Sequence, residues 1–109
     1  MSNGLNVVEE CENWNDFFAE VVDETLKQIF KEEGAKAIYD FLTNHAHLKL
    51  EEAAAKPEVF SASLERLMVS AARVIEQIIL KNLYSRLGLK FKEKTGYEFP
   101  DYIRELRGN

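Results

Sequence analysis

Cysteine, histidine and long apolar runs are scarce in this chain, and each scarcity removes a class of explanation. Cys11 is the only cysteine, so no internal disulfide can form and no cluster of thiolates can hold a metal. Its place near the amino terminus reads as an incidental thiol. His45 and His47 are the only histidines. A His-x-His pair chelates in an extended chain, but on a continuing helix residues two apart point to different sides. A histidine near a helix C-terminus also interacts well with the exposed carbonyls, so neither is assigned a metal. No Glu-x-x-His pair occurs, which disfavours a ferritin-like dimetal site, and no glycine-rich phosphate loop is present.

The longest apolar stretches fall far below the ~18 residues of a membrane span. The opening residues Met1-Ser2-Asn3-Gly4-Leu5-Asn6 have no basic start and no apolar run. The expected setting is the reducing cytoplasm. Nucleophilic catalysis needs Ser or Cys beside a positioned base, and neither Cys11 nor Ser61, Ser63, Ser70 or Ser85 lies in such a motif. Glu9-Glu10, Glu32-Glu33 and Glu51-Glu52 read as solvated pairs rather than acid–base groups in a pocket. No catalytic residue and no cofactor is therefore assigned.

What the chain does have is apolar material at helical spacing. Its 109 residues, 46% hydrophobic, suffice for one domain with its own core. Residues 1–12 are expected to form a flexible N-terminal tail and 13–109 a single helical domain. Trp14, Phe17, Phe18, Val21, Val22, Leu26, Ile29 and Phe30 recur at three- and four-residue steps, predicting a helix over 13–33 capped by Asn13. Gly34 should end it, being free to take a positive φ, before a second helix over 35–45. Leu48-Lys49-Leu50 reads as an extended lead-in to a short helical piece at 51–56. Pro57 opens the next helix with Val59, Phe60, Leu64, Leu67 and Met68 facing inward.

Residues 71–87 carry more apolar surface than one stripe can use. That predicts a central helix covered on several sides, with Ile78 inside it. Gly88 closes it. Leu89-Lys90-Phe91-Lys92 and Tyr97-Glu98-Phe99 alternate around Thr95-Gly96, suggesting a short β-hairpin near 89–99. Pro100 begins a terminal helix to about residue 107, with Tyr102, Ile103 and Leu106 docking back. The aggregate is an all-α, small orthogonal bundle of five to six helices.

Two stretches overlay. Leu26, Ile29 and Phe30 match Leu64, Leu67 and Met68; then, one residue out of register, Lys36-Ala37-Ile38 with Phe41-Leu42 matches Arg73-Val74-Ile75 with Ile78-Ile79. This suggests two pseudo-repeated helix pairs packed against each other. Aromatic residues along the first helix, with Tyr39, Phe41 and Phe60, fill a core in the simplest account and line an apolar ligand cavity in the other.

Net charge is −5, but unevenly spread. Residues 1–60 hold 5 Lys/Arg against 13 Asp/Glu, and residues 61–109 hold 9 against 6. Either the halves complement each other within a monomer, or the asymmetry serves an acidic partner or a head-to-tail contact. The candidate partner-binding residues are Lys81, Arg86, Lys90, Lys92 and Lys94, with Phe91 and Tyr97 nearby as stacking surfaces. General nucleic-acid affinity fits poorly with an acidic protein.

Gly34-Ala35-Lys36-Ala37-Ile38-Tyr39, the opening Pro57-Glu58-Val59-Phe60, and Ile75-Glu76 through Leu83-Tyr84-Ser85-Arg86-Leu87-Gly88-Leu89 resemble the small archaeal domains of the Nitrosopumilus-type output domain family, over most of residues 17–92. The resemblance implies a helical module found alone or attached to regulatory proteins, acting in signal transduction through protein contacts. It carries over no catalytic residue, and this chain shows no sensor or receiver region. The expected role is a non-enzymatic interaction module, a homodimer that also meets a regulatory protein. A small-ligand sensor with a cavity between helix pairs, or a weak DNA-binding domain, are the alternatives.

Overall fold

The computed structural model describes the backbone of residues 3–108 and the side chains of residues 14–108. It is all-helical: α1 (Asn3–Ala46), a 3-10 turn (Leu50–Glu52), α2 (Pro57–Met68), α3 (Ala71–Arg86) and α4 (Phe99–Leu106). Of the residues expected to form a flexible tail, 1–12, residues 3–12 belong to α1, and residues 1 and 2 lie outside the described residues.

Four helices stand where five to six were expected, because α1 continues through a sharp reversal. Lys31 takes φ 64° and ψ −179° inside it. Tyr39 Oη donates to Asp23 Oδ1 at 2.5 Å, although residues so spaced on a straight helix would lie roughly 24 Å apart along its axis. The segment before Lys31 and the segment after it therefore lie side by side. Gly34 is not the turning residue. It is helical, and its missing Cβ instead makes room for the Phe30 side chain.

α2 and α3 form a second pair, reversing at Val69 with φ 52°. Pro57 opens α2 as expected, since the first helical turn needs no amide donor there. Gly88, at φ +73°, follows the end of α3 and lets the Leu89 amide reach back to the Tyr84 carbonyl at 2.8 Å. α4 begins one residue before Pro100, and the Glu98 amide donates to Asp101 at 2.8 Å to close its first turn.

The core is where the two pairs and α4 meet. Phe18 of α1, Phe60 of α2 and Phe99 of α4 touch one another with ring centroids 5.8–6.4 Å apart. Val22, Leu26, Leu42, Leu64, Ile79, Leu83 and Ile103 complete the interior. Each such side chain contributes on the order of 1.5–3 kcal/mol by leaving water. Of the aromatic residues singled out from the sequence, Phe18 and Phe60 fill the core, while Trp14, Phe17, Phe30 and Tyr39 are partly buried against it.

α3 does touch α1, α2 and α4, yet it is not enclosed. Val74 is 60% exposed and Ile78 only half-buried, so the face running through Val74, Ile78 and Lys81 meets solvent. The buried stripe is Ala72, Ile75, Glu76, Ile79, Leu80, Leu83 and Tyr84. Ile29, Val59 and Leu67, expected inside, are likewise more than a third exposed.

No strand forms at 89–99 or elsewhere among the described residues. The turn at Thr95-Gly96 is present, with the Tyr97 amide bonded to the Lys94 carbonyl at 3.1 Å. Its flanks do not pair because their groups are used elsewhere. The Lys94 amide donates to Tyr102 Oη at 2.8 Å, and Phe91 packs between Tyr84 and Tyr102.

Ion pairs join the acidic half of the chain to the basic half. Arg86 pairs with Glu24 at 2.6 Å and Glu20 at 3.3 Å and lies over the Phe17 ring, while Arg104 of α4 pairs with Glu58 of α2.

Candidate functional site: an acidic cleft around Ser61 and Glu76

A cleft of about 390 Å³ opens between α2, α3, the 89–98 loop and α4. Helical spacing builds its walls. Ser61 and Glu65 stand one turn apart on α2; Arg73, Glu76, Gln77 and Leu80 share a face of α3; Phe99 and Tyr102 come from successive turns of α4. Glu93, Lys94, Thr95, Tyr97 and Glu98 form the loop rim. That rim is held by the Lys94 amide on Tyr102 Oη and by Gln77 Nε2 donating to Glu93 at 2.8 Å.

Glu76 is the unusual member. It falls on the buried stripe of α3 and is only 7% exposed. Ser61 Oγ donates to its Oε2 at 2.6 Å. Burial holds its carboxyl above the ordinary range; the nearby Glu65 and Glu98 push the same way, against the Ser61 hydrogen bond and the Arg73 charge. Lys94 does not answer it, being bound to Glu105 at 2.6 Å and lying over the Tyr97 ring. Tyr97 Oη adds a hydrogen bond to Glu105 at 3.0 Å.

Chemically, one buried carboxyl can accept a hydrogen bond, pair with a cation or exchange a proton. Among the described residues no histidine lines this cleft, so Ser61 has no imidazole to activate it as a nucleophile.

A second, more open groove of about 640 Å³ lies between the two segments of α1 and the 3-10 turn, with Asp16, Glu20, Asp23, Tyr39 and Lys49 on its walls. Asp23 there is fully answered. It accepts the Tyr39 hydroxyl and pairs with Lys27 at 3.0 Å. Partial burial raises its carboxyl, but these two partners outweigh that and leave it below the ordinary range. The Tyr39 phenol is pushed up by burial and by the Asp23 charge.

The five basic residues singled out from the sequence separate into two groups. Arg86 and Lys94 are engaged with Glu20, Glu24 and Glu105. Lys81, Lys90 and Lys92 are exposed and form no ion pair among the described residues. Only Lys94 reaches the cleft. His45 stacks on Phe41 at 4.4 Å, and His47 sits outside α1 at φ 51°. No group of three or more His, Cys, Asp or Glu side chains is placed to hold a metal ion among the described residues. Among the described residues no helix is long and apolar enough to cross a membrane.

Sequence reasoning passed over Ser61 and Glu76 because no motif surrounds them. One signal was present: on α3 the spacing of Ala72, Ile75, Ile79 and Leu83 puts Glu76 on the apolar stripe, where a carboxyl needs a reason. Compared with known proteins, the chain matches no family model, no curated protein and no solved structure.

Proposed function

We propose that this protein is a non-enzymatic, cytoplasmic regulatory module that binds a small ligand in the cleft around Ser61 and Glu76. The observation that carries this is the Glu76 carboxyl itself, 7% exposed and facing a concave site with aromatic and polar walls. Burying a carboxyl costs stability unless it is hydrogen-bonded or paired, and here the Ser61 hydroxyl is the one donor among the described residues that offsets the cost. The site is acidic, whereas the ligand-sensor alternative read from the sequence had an apolar cavity between the helix pairs. Native mass spectrometry of untreated protein, with thermal melting against a broad metabolite panel, tests the reading. A ligand-sized mass excess or a raised melting temperature is expected, and the absence of both removes it.

Internal duplication is part of the same reading. The overlay of Leu26, Ile29 and Phe30 on Leu64, Leu67 and Met68 puts Lys31 opposite Val69, the two positive-φ residues at which the pairs reverse. The shifted register after the turn sets buried Ala35, Ile38 and Leu42 opposite buried Ala72, Ile75 and Ile79. The first register also sets Asp23 opposite Ser61, and the shifted one Tyr39 opposite Glu76, two hydrogen-bonded pairs with donor and acceptor exchanged.

Self-association is supported by a different observation. Val69 and Val74, near the reversal of the α2–α3 pair, are 74% and 60% exposed, and a second copy seated there would take both from water. We propose a homodimer through this face, meeting a regulatory protein in the manner the output-domain resemblance implies. Light scattering across a concentration series should show dimers that Val74→Glu abolishes. Monomers throughout would remove the dimer.

A further inference from the structure

The cleft carries more negative charge than the chain answers. Glu65, Glu76, Glu93 and Glu98 line it, against Arg73 and a Lys94 already bound to Glu105. Arg73 moderates the charge on Glu76 without pairing with it among the described residues. Glu76 Oε2 takes the Ser61 hydroxyl, while Oε1 receives no hydrogen bond from any described residue. With the residue more than nine-tenths buried, that oxygen meets little water, and a donor arriving through the cleft can bond to it.

The same molecule shows what satisfies a carboxylate in this setting. Asp23 receives a hydroxyl from Tyr39 and an ammonium from Lys27, one helical turn along. At Glu76 the hydroxyl is supplied by Ser61. The ammonium is not: one turn along from Ser61 stands a further carboxylate, Glu65. Tyr97, Phe99 and Tyr102 add aromatic surface, whose negative faces favour cations.

We propose that the cleft binds a small organic amine, its ammonium group held between Glu76 Oε1 and the Glu65 carboxylate and its carbon frame against Phe99 and Tyr102. This rests on reading the cleft as a ligand site. An anion would face four carboxyl groups, and a neutral molecule would leave Glu65 and Glu76 unanswered. A divalent metal finds no cluster of three ligating side chains among the described residues. The volume of about 390 Å³ suits an aromatic monoamine or a short guanidinium amine.

Three compounds sharing one frame separate charge from shape: tyramine, the neutral alcohol tyrosol, and the anion 4-hydroxyphenylacetate. Agmatine serves as a second amine. With the full chain near neutral pH, an amine at a hundredfold excess over its Kd should raise the melting temperature by roughly 10 °C. Tyrosol and 4-hydroxyphenylacetate should not. Glu65 is exposed, so Glu65→Gln should leave the fold intact and weaken amine binding by at least about tenfold. Glu76→Gln should abolish binding. Stabilisation by the neutral or anionic compounds alone would overturn the amine assignment and leave a ligand site standing. Amine binding that survives both substitutions would overturn its location, and no response to any compound, here or in the metabolite panel, would overturn both readings.

Discussion

Phe30 and Gly34 approach so closely that a Cβ placed on residue 34 would lie 2.5 Å from the Phe30 Cβ. The neighbour is the root of a side chain beside the reversal at Lys31, so it cannot swing away. Replacing a helical glycine by alanine ordinarily stabilises by up to about 1 kcal/mol. Gly34→Ala should instead destabilise by about 1–3 kcal/mol, the cost of overpacking, as read from denaturant midpoints. A midpoint shifted upward would show that the two segments of α1 are not so closely apposed.

The bond from Tyr39 to Asp23 should be worth about 1–2 kcal/mol, because its acceptor is ionised and half-buried. Tyr39→Phe removes the donor and leaves Lys27 as the remaining partner. The Asp23 carboxyl is held below its ordinary 3.8, so its contribution is present above that pH and is lost as pH falls through the folded value. Tyr39→Phe should therefore cost less in acid than at pH 7. An equal cost at both would assign the loss to packing.

Glu76 has the opposite sign. Its carboxyl is raised above 4.5, so the folded chain holds a proton that the unfolded chain has released. That stability is full below about pH 4.5 and disappears as pH rises through the raised folded value. Glu76→Gln keeps an acceptor for Ser61 and removes the titration. The variant should match the native protein in acid and exceed it near neutrality, with the gap widening as pH rises. A constant gap would mean that Glu76 titrates normally.

Ile79 and Ile78 are neighbours in α3 with different exposures, 0% for Ile79 and half-buried for Ile78. Ile79→Asp puts a carboxylate into the core and should cost more than about 4 kcal/mol, abolishing cooperative melting. Ile78→Asp can turn its charge to water and should remain folded. The reverse order would mean that the face assignment of α3 is wrong.

Much of this fold was legible because backbone chemistry leaves few choices. Pro57 and Pro100 fit only a first turn, and Gly88 takes the positive φ that closes α3. Gly34 misled because glycine has two uses, a positive φ and a close approach, and the chain uses the second. Lys31 gave no warning, since a lysine at φ 64° is a cost that tertiary packing imposes. The alternation at 89–99 reflects Phe91 and Tyr97 reaching Tyr102 rather than a strand partner. Of the cleft, Glu76 alone was visible as a charge out of place. Ser61, Glu93 and Glu98 reach it only through the packing of α2, the loop and α4.

α4 has eight residues, too few to persist as a helix unaided. It stays formed because Tyr102 and Ile103 are anchored and Arg104 is tied to Glu58. Since Phe99 and Tyr102 also wall the cleft, any molecule seated there contributes its binding free energy to keeping this last helix in place. Loading and latching are then a single reciprocal equilibrium, and slower amide exchange across 99–106 becomes a gauge of site occupancy.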